Sequence, residues 1–313
     1  MKLIPDPAGG VFPSTKLRGA ASLRIHNDVA RGYNSADGII GRKNQVFLDA
    51  MGLLAHQKDK TWQVVDLGVG DGALLQALQA LPLPGRFTGL DISPAMLELA
   101  CGRLSMDPVL ARAEQAAAHL PHGHYDLILA HFILAYVPLD ALLQQAALLL
   151  AKGGKLSLVT STLEGTQSVL EQMQRWRKRS WHPLKRWMPA AVDQAIQISH
   201  VPQDLSALRE GVEAAGMRLL EVQTLKDTVV FDSPDEAYRF VIDEGWGVNI
   251  LQVLPWLPLP VSRRLVRQCL QQFEYPLRWQ HSTEMLWIDL PVTEGISAAS
   301  APEIGRKMPP GLF

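Results

Sequence analysis

The sequence predicts an α/β protein wound around a parallel sheet, and two stretches carry that prediction. The first is Val64–Gly72, V-V-D-L-G-V-G-D-G, where Val64, Val65 and Leu67 form a short apolar run of the kind buried in a parallel sheet. Asp66 and the alternate glycines Gly68, Gly70 and Gly72 close the run, and Leu74, Leu75, Leu78 and Leu81 follow on helical spacing. The stretch reads strand, tight glycine turn, helix. The second is Arg86–Asp91, R-F-T-G-L-D, another apolar strand that ends in an acid. Strand, helix, strand is the unit from which parallel sheets are wound.

The glycine turn invites a ligand. Glycine has no side chain to block close approach and accepts positive φ, and the helix start behind it is expected to offer unpaired N–H groups. A dinucleotide site would read G-x-G-x-x-G, with a pyrophosphate over the helix end. Here the pattern is D-x-G-x-G-x-G, and no Lys or Arg lies between Thr61 and Leu81, so a diphosphate is not the natural reading. Asp91, about 25 residues after Asp66, stands where an acid at the end of the second strand accepts both hydroxyls of a ribose.

The remaining elements follow in order. Asn44–His56 has apolar residues on helical spacing and should cover the sheet. Ser93 and Pro94 make a helix start, a cap followed by a pre-set φ. Val109–Ala111 is a short third strand, Tyr125–Ile133 a fourth, and Leu139–Leu150 a helix rich in Leu and Ala. Lys152–Gly154 reads as a turn before a fifth strand, Lys155–Thr160. Pro202–Ala215 is a helix ended by Gly216 as a C′ glycine. Met217–Phe231 alternates as a strand, with a break expected near Asp227. Ser233 and Glu236 predict a reciprocal cap on a helix that runs to Asp243, and Glu284–Leu290 is expected to return as a last edge strand.

Four blocks together resemble the class I S-adenosylmethionine-dependent methyltransferases, in particular their small-molecule branch. They are Val64–Gly72, L-D-I-S-P-A-M-L at Leu90–Leu97, Y-D-L-I-L-A-H-F-I-L at Tyr125–Leu134 and L-L-A-K-G-G-K-L-S-L at Leu149–Leu158, in the family's order and spacing. The resemblance implies a Rossmann-like, doubly wound, seven-stranded and mostly parallel sheet with an inserted helical substrate cap. It implies S-adenosylmethionine as cofactor and S-adenosylhomocysteine as product, held by Asp66, Gly68, Gly70, Gly72, Asp91, Ile92, Met96, Ala130 and His131. Ordinary core packing is the alternative for Met96. Arg112–Gln115 falls where the family presents a polar group to the adenine. Arg112 replaces the usual acid there, which moves the contact to Glu114 or to the backbone of Ala113. Tyr33 lies where family members place a tyrosine over cofactor and substrate, or else it packs the flank of the sheet. His131 points toward the methyl acceptor and is the candidate base, unless it is simply a histidine bonded to backbone at a strand end and the base is a cap residue such as His182, His200 or Glu244.

The implied organisation is an N-terminal arm and lid over residues 1–41, a cofactor-binding core over 42–162 and a cap insertion over 163–201. The core continues over 202–232, a second cap insertion spans 233–283, and a last strand with a disordered tail spans 284–313. The first insertion interleaves Trp176, Trp181 and Trp187 with six Lys and Arg residues. Such a segment could rest on a membrane surface, meet nucleic acid or a carrier protein, or close over an apolar substrate. Its place after the fifth strand favours a lid, with Trp176, Trp181 and His182, joined by Trp246 of the second insertion, toward the substrate and a basic outer face toward an anionic substrate or an acidic acyl carrier.

Composition bounds the function. Charged residues make up 19% and hydrophobic ones 47% of the 313 residues, and the net charge of −1 gives no overall field toward nucleic acid or membrane. Cys101 and Cys269 cannot frame a disulfide-rich fold and have no metal-ligand spacing. With no apolar run of about 20 residues and no signal segment, a cytoplasmic protein is expected, monomeric or homodimeric, without stable membrane insertion. The expected reaction is methyl transfer to a small, largely apolar metabolite of secondary metabolism. Rival readings are a tRNA or protein methyltransferase and a non-methylating cyclase, decarboxylase or binding scaffold. The absence of an N-P-P-Y-like run at Ala130–Ile133 argues against amide or exocyclic base nitrogens as acceptors.

Overall fold

A computed structural model describes residues 4–5, 11–12, 23, 27, 45–49, 51, 60–82, 84–179, 188–243, 245, 250–251 and 257–291. The principal sheet has seven strands: β1 (Trp62–Leu67), β2 (Gly85–Asp91), β3 (Asp107–Leu110), β4 (Tyr125–His131), β5 (Leu150–Ser161), β6 (Arg218–Phe231) and β7 (Leu277–Asp289). Their spatial order is β3-β2-β1-β4-β5-β7-β6. The first five are parallel, and β7 runs antiparallel to both β5 and β6. Strand order reverses beside β1, which opens the crevice at the carboxyl ends of β1 and β4 where doubly wound sheets bind ligands.

The helices are α1 (Ala73–Gln79), α2 (Pro94–Arg103), α3 (Leu139–Leu149), α4 (Gln167–Arg179), α5 (Met188–Ile198), α6 (Leu205–Ala214), α7 (Pro234–Tyr238) and α8 (Leu259–Leu270). Strand alternation sorts them into layers. On one face Ile128, Ala130, Leu156, Leu158 and Leu286 pack against Leu142, Leu143 and Ala146 of α3 and Leu208 and Val212 of α6. On the other, Val64, Leu127, Leu129, Val159 and Met285 pack against Leu75 and Leu78 of α1, Leu97 and Ala100 of α2, and Phe47 and Met51. The helical spacing predicted over Asn44–His56 is thereby realised at residues 45–49.

Several boundaries differ from the sequence expectation. Lys152–Gly154 is not a turn ahead of β5 but lies inside it. Pairing jumps from Tyr125 with Leu150 to Leu127 with Lys155, so the intervening residues bulge, with Gly153 at φ 78°. β6 has no break at Asp227; its irregularity lies between Leu219 and Glu221. The last strand is longer than expected and is not an edge. β7 begins at Leu277 and is hydrogen-bonded on both sides, leaving β6 as the edge. Leu277–Thr283, grouped by sequence with the second cap insertion, therefore belong to the sheet. The α7 cap also differs in detail. Glu236 N–H donates to Ser233 Oγ at 3.3 Å, but the Glu236 carboxylate accepts from Asp232 N–H at 2.8 Å, one residue before the position a capping box would use.

The described residues of the two segments expected as cap insertions share an apolar core. Met173 and Trp176 of α4 share a second apolar core with Ala237 and Tyr238 of α7, Phe240 and Ile242 of a π turn over Arg239–Asp243, and Val266 and Leu270 of α8. Its floor is the far end of the β6–β7 pair, Phe231 and Leu277. Phe231 pairs with Leu277 and Ser161 with Thr283, so this ribbon continues beyond the last residue of β5. The cap therefore rides on the two antiparallel strands.

Candidate active site

The glycine turn is self-contained. The N–H groups of Gly68 and Val69 both donate to Leu90 O (2.7 and 3.0 Å), Gly72 N–H donates to Val69 O (3.1 Å), and Ala73 N–H donates to Asp71 Oδ1 (3.3 Å). Gly70 N–H donates to Asp91 Oδ2 at 3.0 Å. The three glycine amides and that of Ala73 at the helix start are thus engaged by the turn itself and by β2. Positive φ is needed at Gly68 (95°), Gly70 (56°) and Gly72 (79°). Two of these glycines also answer to packing: a Cβ at Gly68 would stand 2.8 Å from Ile133 Cδ1, and one at Gly72 would stand 2.8 Å from Ala100 Cβ.

Asp91 is oriented by backbone on both oxygens, since Oδ1 accepts from Ser93 N–H at 2.8 Å. Ser93 caps α2 as predicted, accepting from Met96 N–H at 3.2 Å, and its own hydroxyl donates to Asn27 Oδ1 at 2.5 Å. A residue of the N-terminal arm therefore touches the turn that follows the acid. Asp66 lies buried at the end of β1. Burial, and then the nearby Asp91 carboxylate, push its pKa up to about 8. Asp71, also buried, faces Arg103 Nη2 at 3.0 Å. Asp66, buried beside the Asp91 carboxylate, gains from a cationic ligand and loses from a phosphate.

The other predicted contacts divide. Ile92 is half-buried and Met96 fully buried within α2. Ala113 and Ala130 are buried in the core on the α3 face. Glu114 turns to the surface, where Arg112 Nη2 meets its Oε1 at 2.6 Å, so the departure at Arg112 neutralises the very acid expected to replace it. His131 ends β4 with Nε2 3.0 Å from Ser157 Oγ and its ring edge-on to Phe47 at 4.9 Å. Burial lowers its pKa to about 3, so the imidazole is neutral throughout the physiological range. Trp176, expected toward the substrate, is buried in the cap core. Tyr33, Trp181, His182 and Trp246 lie outside the described residues.

Two features went unread in the sequence. Phe132, directly after β4, is the one non-glycine residue among those described with positive φ (56°); its N–H donates to Val159 O at 2.7 Å. Strained backbone of this sort clusters at ligand sites. The second is a polar row at the carboxyl end of the sheet, where Ser161 Oγ lies 2.8 Å from His281 Nε2 and Thr283 Oγ1 lies 3.2 Å from His281 Nδ1. Periodicity could not reveal it, because its members come from separate strands. Among the described residues no cluster of His, Cys, Asp and Glu is arranged to hold a metal ion, and no helix is long and apolar enough to cross a membrane.

Comparison with known proteins locates this geometry. The sequence profile of a methyltransferase domain family matches residues 65–156, the span from β1 into β5 that contains the glycine turn, both acids and His131. This segment carries the pattern of a methyltransferase domain. It is 32% identical over 124 residues to an uncharacterized methyltransferase of Emericella nidulans, an alignment covering 33% of this chain and 42% of that protein. The chain thus spans less than half the length of its curated relative. The fold of the methyltransferase domain and its sheet extension recurs in a Bacillus halodurans protein classed with the methyltransferases, with a TM-score of 0.51 and 16% identity over 77% of this chain and 98% of that one. It recurs again in phosphoethanolamine N-methyltransferase 2 of Haemonchus contortus in complex with S-adenosyl-L-methionine, with a TM-score of 0.53 and 13% identity over 90% of this chain and 62% of that one.

Proposed function

We propose that the protein is an S-adenosylmethionine-dependent methyltransferase acting on a small, largely apolar acceptor. The observation that carries this reading is the pair of buried acids, Asp66 and Asp91, about a turn whose glycine amides are already engaged. S-adenosylmethionine combines a ribose with a sulfonium and an ammonium, and so presents hydroxyls and positive charge to two carboxyl groups. A nicotinamide dinucleotide would bring phosphates instead. Asp91 accepts the ribose hydroxyls, Gly68 and Gly70 leave room for the ligand, and Asp66, protonated in the ligand-free protein, gives up its proton as the positive charge of the ligand arrives. Ile92 and Met96 line the adenine side, with the backbone of Ala113, and Ala130 and His131 border the reacting end.

When bound, S-adenosylmethionine supplies an activated methyl group with a neutral sulfide as leaving group. The chain's own work is to align the acceptor and exclude water, for which effective molarity accounts for about 7–11 kcal/mol. The apolar cap core above the β6–β7 ribbon suits an apolar acceptor. The exposed Arg175 and Lys178 on α4 suit an acidic acyl carrier as the vehicle that delivers it. Assignment to secondary metabolism and to the cytoplasm accompanies this reading.

Titration calorimetry with S-adenosylmethionine and with nicotinamide adenine dinucleotide, each added to the free protein, tests the assignment. Saturable binding of the sulfonium nucleoside alone is expected. Binding of the dinucleotide with indifference to the sulfonium compound sinks it.

A further inference from the structure

The strongest unassigned feature is the polar row at the head of β5, β7 and β6. His281 is 3% exposed, yet both ring nitrogens have hydroxyl partners, Ser161 at 2.8 Å and Thr283 at 3.2 Å. The third strand adds an acid: the register pairs Asp227 of β6 directly with His281 of β7, and directly opposed residues of an antiparallel pair project from the same face with Cβ atoms about 5 Å apart. Acid, imidazole and hydroxyl thus follow one another across three adjacent strands. Lys226 and Glu284 point to the opposite face, where Thr224 and Ser282 hydrogen-bond the Glu284 carboxylate. Glu164, at the start of the cap, is exposed. Asp227 is therefore the charged group that the register sets beside His281.

The location fits a substrate role. Ser161 is the last residue of β5, half-buried, at the carboxyl end of the parallel strands and directly before the cap. His281 lies where the sheet core gives way to the cap core, with Trp279 edge-on at 5.1 Å. A buried, fully hydrogen-bonded imidazole at an apolar junction needs a reason, because an apolar pair would pack there with less loss.

We propose that Asp227, His281 and Ser161 form a proton relay for the methyl acceptor, which makes the acceptor atom a protic oxygen, nitrogen or sulfur. The proposal rests on the methyltransferase reading above. As the new bond to the methyl carbon forms, the carbon–sulfur bond of the donor breaks and its electron pair stays on sulfur as neutral sulfide. The acceptor proton passes to Ser161 Oγ while the Ser161 proton passes to His281 Nε2. The positive charge lost by the sulfonium thus reappears as an imidazolium, steadied by Asp227. Ser161 would touch substrate; His281 and Asp227 act through it as positioning residues.

The test uses the full chain with labelled S-adenosylmethionine and three matched probes: 2-naphthol, 2-naphthylamine and 2-naphthalenethiol. At least one probe should be methylated by the native protein. His281→Gln and Ser161→Ala should each lower kcat at pH 7 by at least about 100-fold, the scale of general acid–base catalysis, with KM and cofactor affinity unchanged. The deficit should shrink as pH rises toward ionisation of the probe itself, a signature a merely structural histidine would not give. Should His281→Gln fail to fold, Asp227→Asn on the half-buried edge strand carries the same pH test. A pH-independent loss, an unchanged rate, or no methylation of any probe by a native protein that binds the cofactor overturns the relay. Failure of the native protein to bind S-adenosylmethionine overturns the methyltransferase reading and the relay with it.

Discussion

Asp91 is placed by two backbone N–H groups, so its carboxylate keeps its orientation before any ligand arrives. Replacing it with Ala should weaken S-adenosylmethionine binding by about 1.5–3 kcal/mol, the scale of a hydrogen bond to a charged group. Calorimetry showing unchanged affinity would remove the ribose assignment. Asp66 carries the opposite burden. Its folded pKa of about 8 lies above the ordinary 3.8, so the folded chain keeps a proton that the unfolded chain releases. Stability then falls as pH rises from about 4 to about 8 and levels off beyond, by at most about 1.4 kcal/mol per pH unit from this group. Asp66→Asn should flatten that slope and stabilise the ligand-free protein at pH 8. Denaturant titrations of both proteins from pH 4 to 9 read this directly, and equal slopes would refute it. His131 illustrates the limit of residue type as a guide. A histidine at a strand end looks like a base, yet burial beside Phe47 and Ser157 leaves it neutral and weakly basic.

Among the elements, the β1–turn–α1 unit is fixed by shape as much as by ligand. Gly72→Ala would place a side chain at φ 79° and push it against Ala100 of α2 and Leu104 just beyond it. About 2–4 kcal/mol of lost stability is expected from strain and overpacking together, measurable as a lowered denaturation midpoint; a shift below 1 kcal/mol would argue that α2 yields. The cap has a core of its own, centred on Trp176. Trp176→Ala should cost it about 3–5 kcal/mol and speed amide exchange in α4, α7 and α8 while exchange in β1 and β4 stays slow. Uniform acceleration would mean that cap and sheet open as one. These elements were unequally legible in the sequence. β1, β2 and β4 announce themselves through apolar runs closed by an acid or glycines, and Ser93-Pro94 fixes the start of α2 by local chemistry. The interior place of β7 was hidden, because which strand takes the edge depends on pairings 60 to 120 residues distant along the chain, as in Thr224 with Glu284 and Ser161 with His281. Trp176 was misjudged for a related reason: the core that buries it includes Tyr238 and Phe240, which come from the other insertion.

At the scale of the whole molecule, a net charge of −1 gives little electrostatic attraction to polyanions. Filter binding to tRNA at about 150 mM salt should show no retention, since affinity built from a few phosphate contacts falls steeply with salt. Persistent binding would reopen a nucleic-acid acceptor. The crevice proposed for the cofactor belongs to the parallel strands, whereas the apolar body around Trp176 is mounted on the overhanging end of β6 and β7. That overhang works as a cantilever. Past Ser161 the ladder of β7 runs on against β6 alone, so movement of this body is borne by two strands and leaves the pairing of β1 with β4 untouched.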